Sequence, residues 1–425
     1  MSLQHTFHQL ANGLKIATVE MPHMASASVG LWVNLGSRNE NPDQHGMAHL
    51  VEHMLFKGTP SRSAEEISRQ IEGLGASIDG FTVEDHTAYQ AKSPANQFGK
   101  LFEVLADFYR NPTVDPAELE SERQVIHEEI AMVRDQPSHL IEDLISEATW
   151  GAMHPLGRSI TGTDQSLDAF QRTDVLSFFQ EGYCGANTVI SVAGNIDSGE
   201  ILDQVSTCFD TLHPGTPANF QAAIPPLDDH CFREGHDHEQ VHVALSFPAV
   251  DRFHTDRFAY KLLNVILGEN MSSRLFQELR EKRGLCYEIQ SDFTSFSDGG
   301  IIQIYLALNP DHLEEALQTI DLVTRDLLQK GVSSLELKAA QSFIVGQSQI
   351  SLENTASQMM WAGESFLFFD EWKDPDEAHR DIEETSLDQV NEAAKSVFGE
   401  RRFASALIGD YTSNSLFDRW RRAAV

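Results

Sequence analysis

Apolar and polar positions along this chain change period repeatedly, and each change marks an element. Residues 26–35, SASVGLWVNL, alternate within a β-rich run and predict a strand. Residues 64–74, AEEISRQIEGL, carry apolar residues at helical spacing up to Gly75 and predict a helix. Residues 76–91 hold Ile78, Phe81, Val83, Thr87 and Tyr89 and read as a strand or a hairpin. Residues 97–110, QFGKLFEVLADFYR, form an amphipathic helix that stops before Asn111-Pro112. A long polar helix over 116–135 follows from Asp115-Pro116, a capping residue with proline at the first helical position. Residues 187–195, NTVISVAGN, read as a buried strand.

The second half repeats this order. VHVALSF at 241–247 is a strand like 26–35, and FAYKLLNVIL at 258–267 is a helix. GGIIQIYLAL at 299–308 is a strand whose Tyr305 lies 216 residues after Tyr89. The helix at 313–328 echoes 97–110, and Ser334-Leu335-Glu336-Leu337 opens a helix as Ala117-Glu118-Leu119 does. ASALIGD at 404–410 echoes VISVAGN, with Gly409 placed 215 residues after Gly194. A near-constant offset with few identities predicts a duplication of pattern. The joint falls in HPGTPANFQAAIPPLDD, 213–229, which holds four prolines and a glycine and no helical period. The expected organisation is therefore a domain over 1–213, a linker over 214–229 and a homologous domain over 230–425. Each half alternates strands with helices, which predicts an α/β or α+β sandwich of one sheet and a helical layer.

A length of 425 residues agrees with two domains. Acidic residues number 64 against 31 basic ones, for a net charge of −33, and this argues against a nucleic-acid partner. The same excess would attract basic ligands if a cleft concentrated it. No apolar run is long enough to span a membrane, and the first residues lack the pattern of a signal peptide, so a cytoplasmic protein is expected. A signal or transit peptide removed earlier stays compatible with this. Cys184, Cys208, Cys231 and Cys286 are widely spaced and form neither a zinc knuckle nor a disulfide framework.

The strongest chemical signal is His49-Leu50-Val51-Glu52-His53. Met47, Leu50, Val51, Met54 and Leu55 surround it at helical spacing, so both histidines share one face and can grip one metal ion. Glu52 adjoins His53 and can polarise water there; this is the inverted H-x-x-E-H motif. A catalytic zinc site takes three protein ligands, so a third must come from elsewhere. The helix ELESERQVIHEEIAMVRD offers Glu118, Glu120, Glu122, Glu128 and Glu129, and side-chain chemistry does not choose among them.

With these residues in place, the chain resembles the pitrilysin and mitochondrial-processing-peptidase family of inverted-motif metallopeptidases. That family carries a glutamate 76 residues after the second histidine, the spacing of Glu129 from His53, within a helix like Glu122-Arg123-Gln124-Val125-Ile126-His127-Glu128-Glu129-Ile130. The resemblance implies zinc as cofactor, His49, His53 and Glu129 as its ligands, Glu52 as general base, and Glu122 as a carboxylate that orients a ligating histidine. Asp79, Gly80, Phe81 and Thr82, followed by Glu84, His86, Thr87 and Tyr89, match the family strand that receives substrate as an added β-strand. The chain departs from the pattern there, because Asp79-Gly80 replaces the usual Asn-Ala. Arg280 and Tyr287, seven apart in SRLFQELREKRGLCY, resemble the pair that binds substrate and stabilises the oxyanion from the opposite bowl of a clamshell. Arg283 competes weakly with Arg280.

The fold implied is α+β: two duplicated sandwich domains, each a mostly antiparallel sheet against a layer of helices, together half of a clamshell. The activity implied is a zinc-dependent endopeptidase acting on unfolded peptides or presequences, basic ones included, enclosed by a homodimer or by a heterodimer with an inactive partner. No zinc residues recur in the second half, where Leu263, Val265, Ala340 and Gln347 stand near the offset positions. Two other readings are a non-catalytic scaffold subunit and a zinc-holding peptide binder.

Overall fold

Strand β3 (Ser26–Val33) is covered on both faces, and that sets the architecture around it. Ala27, Val29, Leu31 and Val33 enter one buried cluster while Trp32 enters another, because successive strand side chains point to opposite faces. A sheet of such strands needs helices on both sides. The computed structural model describes residues 3–223, 230–233 as backbone, 239–400 and 402–409. These form two units.

The first unit comprises the chain up to Ala131, Ser159–Gln221 and Gln349–Asp374. Its sheet uses β1 (Gln4–Gln9), β2 (Lys15–Glu20), β3, β4 (Ser77–Thr82), β5 (Thr87–Pro94) and β6 (Thr188–Gly194) in the order β1-β2-β6-β3-β5-β4. Only β2 and β6 run parallel; every other neighbouring pair is antiparallel. The second unit comprises Met132–Arg158, Ala222–Ser348 and the chain from Pro375. Its strands are β7 (His230–Arg233), β8 (Val241–Ala249), β9 (Cys286–Ser295), β10 (Gly300–Leu308) and β11 (Ala404–Ile408). Their order is β7-β11-β8-β10-β9, again with one parallel pair, β7 with β11.

The two sheets correspond strand for strand from β2 and β7 outward, so the expected duplication is present as topology, with β1 the one addition among the described strands. Gly194 and Gly409 close the corresponding strands β6 and β11 with φ of 144° and 139°. That left-handed backbone favours glycine over any residue with a Cβ. Residues 76–91, open between strand and hairpin in the sequence, form the hairpin β4–β5, with Thr82 opposite Thr87.

Neither unit is a contiguous half of the sequence. Helix Thr355–Phe368 lies on the first unit's sheet, where Met359, Ala362 and Phe366 pack on Ala17, Val19, Trp32 and Ala193. The approach is close: a Cβ on Gly363 would lie 2.3 Å from the Trp32 ring, and one on Gly30 would lie 2.5 Å from Met359 Sδ. In exchange, helix Pro137–Trp150 packs Leu140, Ile141, Ile145 and Ala148 on the second unit's Ala244, Ala307, Ala404 and Ala406. Small side chains at these positions let the helix backbone come near the sheet.

The joint expected at 214–229 is only partly a free connection. Up to Gln221 it lies along the first unit, where Gly185 N–H donates to His213 O, Ala186 N–H to Pro214 O and Ala218 N–H to Asn187 Oδ1. Residues 224–229 and Asp410 lie outside the described residues, as does the Cys231 side chain. Cys184, Cys208 and Cys286 are free thiols.

The helix expected at 258–267 is regular only over Arg257–Asn264 and then widens into a π turn, Val265–Glu269. Asn264 braces that turn by donating to Glu269 and to the Ser291 carbonyl. At an offset of 216, this turn occupies the positions of His49–His53. Among the described residues, no helix is long and apolar enough to cross a membrane.

Candidate metal centre

Helix α1 (Met47–Leu55) carries the H-x-x-E-H motif and buries Met47, Leu50, Val51, Met54 and Leu55 in the first unit's core. Its N-cap residue, Gly46, offers no side chain. The cap comes from Glu40, a buried carboxylate that accepts from Gly46 N–H (2.9 Å) and Ala48 N–H (2.8 Å). A negative group there also complements the positive end of the helix dipole. Apolar anchoring on one side and a buried cap at the start fix how the histidines emerge from α1.

The rings of His49 and His53 lie 4.6 Å apart, one helical turn along. Helix α2 (Pro116–Asp135) crosses beside them, with Asp115 Oδ1 capping Ala117 N–H as its sequence suggests. Of its five acidic candidates, Glu129 reaches both rings: its Oε2 is 3.6 Å from His49 Nε2 and 3.8 Å from His53 Nε2. All three donor atoms lie within 4.8 Å of one another. A tetrahedral ion with bonds of about 2.1 Å sets its ligand atoms about 3.4 Å apart. Glu129 Oε2 stands near that spacing from both imidazole nitrogens, and two imidazoles with one carboxylate are a donor set that fits zinc.

Glu122, two turns before Glu129, turns its carboxylate to the far side of His53. Its Oε2 lies 3.0 Å from His53 Nδ1, and its Oε1 is 2.5 Å from Lys57 Nζ. Nδ1–H donation to a carboxylate leaves Nε2 with its lone pair toward the metal position. Burial raises the Glu122 pKa, but the hydrogen bonds from His53 and Lys57 prevail and hold it below the usual carboxylate range. Burial, and then repulsion by His53, pushes His49 down to about 3, so its imidazole is neutral and able to ligate. Glu122→Gln is expected to weaken zinc binding by about tenfold to a hundredfold. Competition titration against a chelator measures it.

Glu52 faces the same space and is 7% exposed. Its Oε2 accepts a 2.8 Å hydrogen bond from Thr82 Oγ1 on β4. Burial raises its pKa; the Thr82 hydroxyl and His53 oppose this, while Glu129 and Asp79 add to it. β4 is the last strand of its sheet and pairs only with β5, so its other edge has no strand partner among the described residues. Along it, Gly80 and Thr82 lie beside Glu52, and a Cβ on Gly80 would come 3.0 Å from Glu52 Oε1. Asp79 is exposed, and Phe81 turns to the other face against Trp32 and His86. Thr87 donates to Leu35 O, and the Tyr89 hydroxyl is paired with that of Tyr183 in the core.

Arg280 and Tyr287 belong to the second unit. Arg280 lies in the widened turn Phe276–Glu281 and stacks on two rings, 4.9 Å from the Phe276 centroid and 4.7 Å from that of Tyr287. Tyr287 is 77% exposed. Nearby arginines are committed elsewhere: Arg274 to Glu336 and the Gly331 carbonyl, Arg283 to Glu278. Among the described residues Arg280 forms no ion pair, which leaves its guanidinium free to take an anionic group.

Reading from residues alone missed Glu40 and Lys57. An acidic residue ahead of a capless Gly-started helix is the signal for the first. Nothing local announces the second.

A duplicated α+β fold brings two histidines and a glutamate to one point, in a geometry that could hold a metal ion on an inverted H-x-x-E-H motif. Residues 15–164 match the model of the insulinase family, peptidase family M16, and residues 169–343 match the M16 inactive domain. The zinc protease YmxG of Bacillus subtilis is 34% identical over 397 residues, covering 93% of this chain and 96% of YmxG. A zinc protease of Mycobacterium leprae, ML0855, is 33% identical, covering 98% and 94%. The chain belongs to peptidase family M16. Two solved structures share the fold with TM-scores of 0.89 at 21% identity: a peptidase M16 inactive domain from Pseudomonas fluorescens and a protease from Helicobacter pylori. The first covers 97% of this chain and 99% of its own, the second 96% and 99%.

Proposed function

We propose that this chain is a zinc-dependent endopeptidase that cleaves unfolded peptides laid as an extra strand along β4. The observation that carries the reading is the convergence of His49, His53 and Glu129 on one point, with the neighbouring buried Glu52 carboxylate bonded to β4, a strand whose outer edge no described strand pairs with. Zinc held by the three side chains supplies Lewis acidity, polarising a carbonyl oxygen and acidifying water. The chain's own groups do the rest. Backbone pairing along β4 aligns the peptide by shape more than by sequence. Glu52 takes a proton from the attacking water as the water oxygen adds to the peptide carbon. It then delivers that proton to the departing amine nitrogen as the C–N bond breaks.

Arg280 and Tyr287 are proposed to grip the substrate and its developing oxyanion in a second copy's site, within a homodimer that encloses the peptide; an inactive partner chain would serve the same closure. The support is a guanidinium free of ion pairs among the described residues and an exposed phenol stacked on it. Arg280→Ala is expected to lower kcat/KM by about tenfold to a hundredfold with zinc content unchanged. Unaltered hydrolysis would reject that role.

A second reading, a peptide binder that holds zinc but turns over poorly, is favoured by Asp79, which places an acceptor where the family carries an amide donor. One experiment separates them: digestion of a peptide library by the zinc-loaded protein, read by mass spectrometry, with Glu52→Gln as control. Cleavage by the wild type alone supports the peptidase, and cuts clustered near Lys or Arg would tie the acidic excess to basic substrates. Binding without cleavage supports the binder.

A further inference from the structure

Thr82 lies on the strand that resembles a substrate strand, yet its side chain is already used. The Oγ1 proton goes to Glu52 Oε2 at 2.8 Å. A hydroxyl has one proton, so Thr82 has none left to donate to a peptide. The two oxygens of Glu52 are thereby made unequal. Oε2 is held, whereas Oε1 lies against Gly80, at the one position of β4 without a side chain to cover it.

Thr82 is itself firmly seated. It pairs with Thr87 across the hairpin, and Thr87 is buried and bonded to Leu35 O. The hairpin turn just beyond is tied down from outside: Ser37 N–H donates to Val83 O and Arg38 N–H to Glu84 O. The buried Arg38 guanidinium reaches Asp85 at 2.9 Å. Two residues further on, Glu40 caps the metal-site helix. The turn from Ser37 to Glu40 thus anchors both the strand end that bears Thr82 and the helix that bears Glu52. A carboxylate on a three-bond side chain would otherwise sample several rotamers, and one hydroxyl from a rigid strand end removes that freedom.

We propose that Thr82 is a positioning residue for Glu52: its hydroxyl holds Oε2 so that Oε1, facing the open edge at Gly80, is the oxygen that takes the proton from water. This rests on the peptidase reading above, and the test is built so that the two fail separately. Thr82→Val is nearly isosteric and lacks only the hydroxyl; Thr82→Ser restores it.

With a quenched fluorescent peptide as probe, Thr82→Val is expected to lower kcat by about tenfold or more with KM within about twofold. Thr82→Ser is expected to stay within about threefold of the wild type, and zinc content and Tm should be unchanged in both. The independent readout is infrared difference spectroscopy of the metal-free protein. There the Glu52 carboxylate band, identified by its loss in Glu52→Gln, should shift in Thr82→Val and return in Thr82→Ser. A band that stays in place in Thr82→Val overturns the proposal, whether or not the protein cleaves. So does a kcat in Thr82→Val equal to the wild type, or a Thr82→Ser as slow as Thr82→Val. A wild type that cleaves no peptide while the band shifts as expected overturns the peptidase reading and supports the positioning.

Discussion

Glu52→Gln is expected to abolish peptide hydrolysis, by about a thousandfold or more in kcat, while zinc content stays at the wild-type level. The carboxylate is 7% exposed and borders the point on which His49, His53 and Glu129 converge, but it is not among the three groups that meet there. An amide of the same size can still accept from Thr82, so the local packing survives, but it cannot take up a proton as a carboxylate does. Activity should therefore fall without loss of metal or of fold. Metal analysis, thermal melting and single-turnover hydrolysis together measure this. A variant that retains more than a tenth of the wild-type rate would move the general base to another group.

Glu129→Ala is expected to act on the other side of that division and remove the metal. Glu129 Oε2 is the one carboxylate atom within 4 Å of Nε2 on both histidines among the described residues. Without it, two imidazoles on a single helix remain, and zinc affinity should drop by about two to three orders of magnitude. Its side chain is partly exposed on α2, outside the apolar face that carries Leu119, Ile126 and Ile130, so the apo protein should keep its Tm. Calorimetric titration with zinc reads the loss directly. Unchanged affinity would transfer the third-ligand role to another carboxylate.

These two residues also show how far local sequence reaches. Glu52 and the histidines were legible because their relation is a matter of helical spacing: i and i+4 share a face in any helix. Glu129 was not legible from chemistry. Five glutamates lie on one helix, and which of them meets α1 depends on how α2 is rotated when it packs. The family spacing singled out Glu129, and the geometry brings that carboxylate to both rings while Glu122 takes Nδ1 of His53. Thr82 was expected to meet substrate from its strand; it lies at the end of β4, and its hydroxyl is spent on Glu52. A contact between a strand and a helix thirty residues apart leaves no trace in either segment's pattern.

The same division runs through the fold. Periods of two and of 3.6, turn residues and the offset near 216 sufficed to place about half of the strands and helices and to reveal the duplication, because these are properties of short segments and their repetition; the helices Pro137–Trp150 and Thr355–Phe368 were not among those read. Which sheet each helix covers was left to the tertiary structure. Thr355–Phe368 is followed by the second unit's last helices and Pro137–Trp150 is preceded by α2, most of which belongs to the first unit, yet each lies on the sheet of the other sequence half. An amphipathic helix announces that it has an apolar face. The surface that accepts it is chosen by shape: glycines at Gly30 and Gly363 around Trp32 in one case, a floor of alanines in the other. That complementarity exists only once distant strands have paired, so it lies beyond any reading of the chain in order.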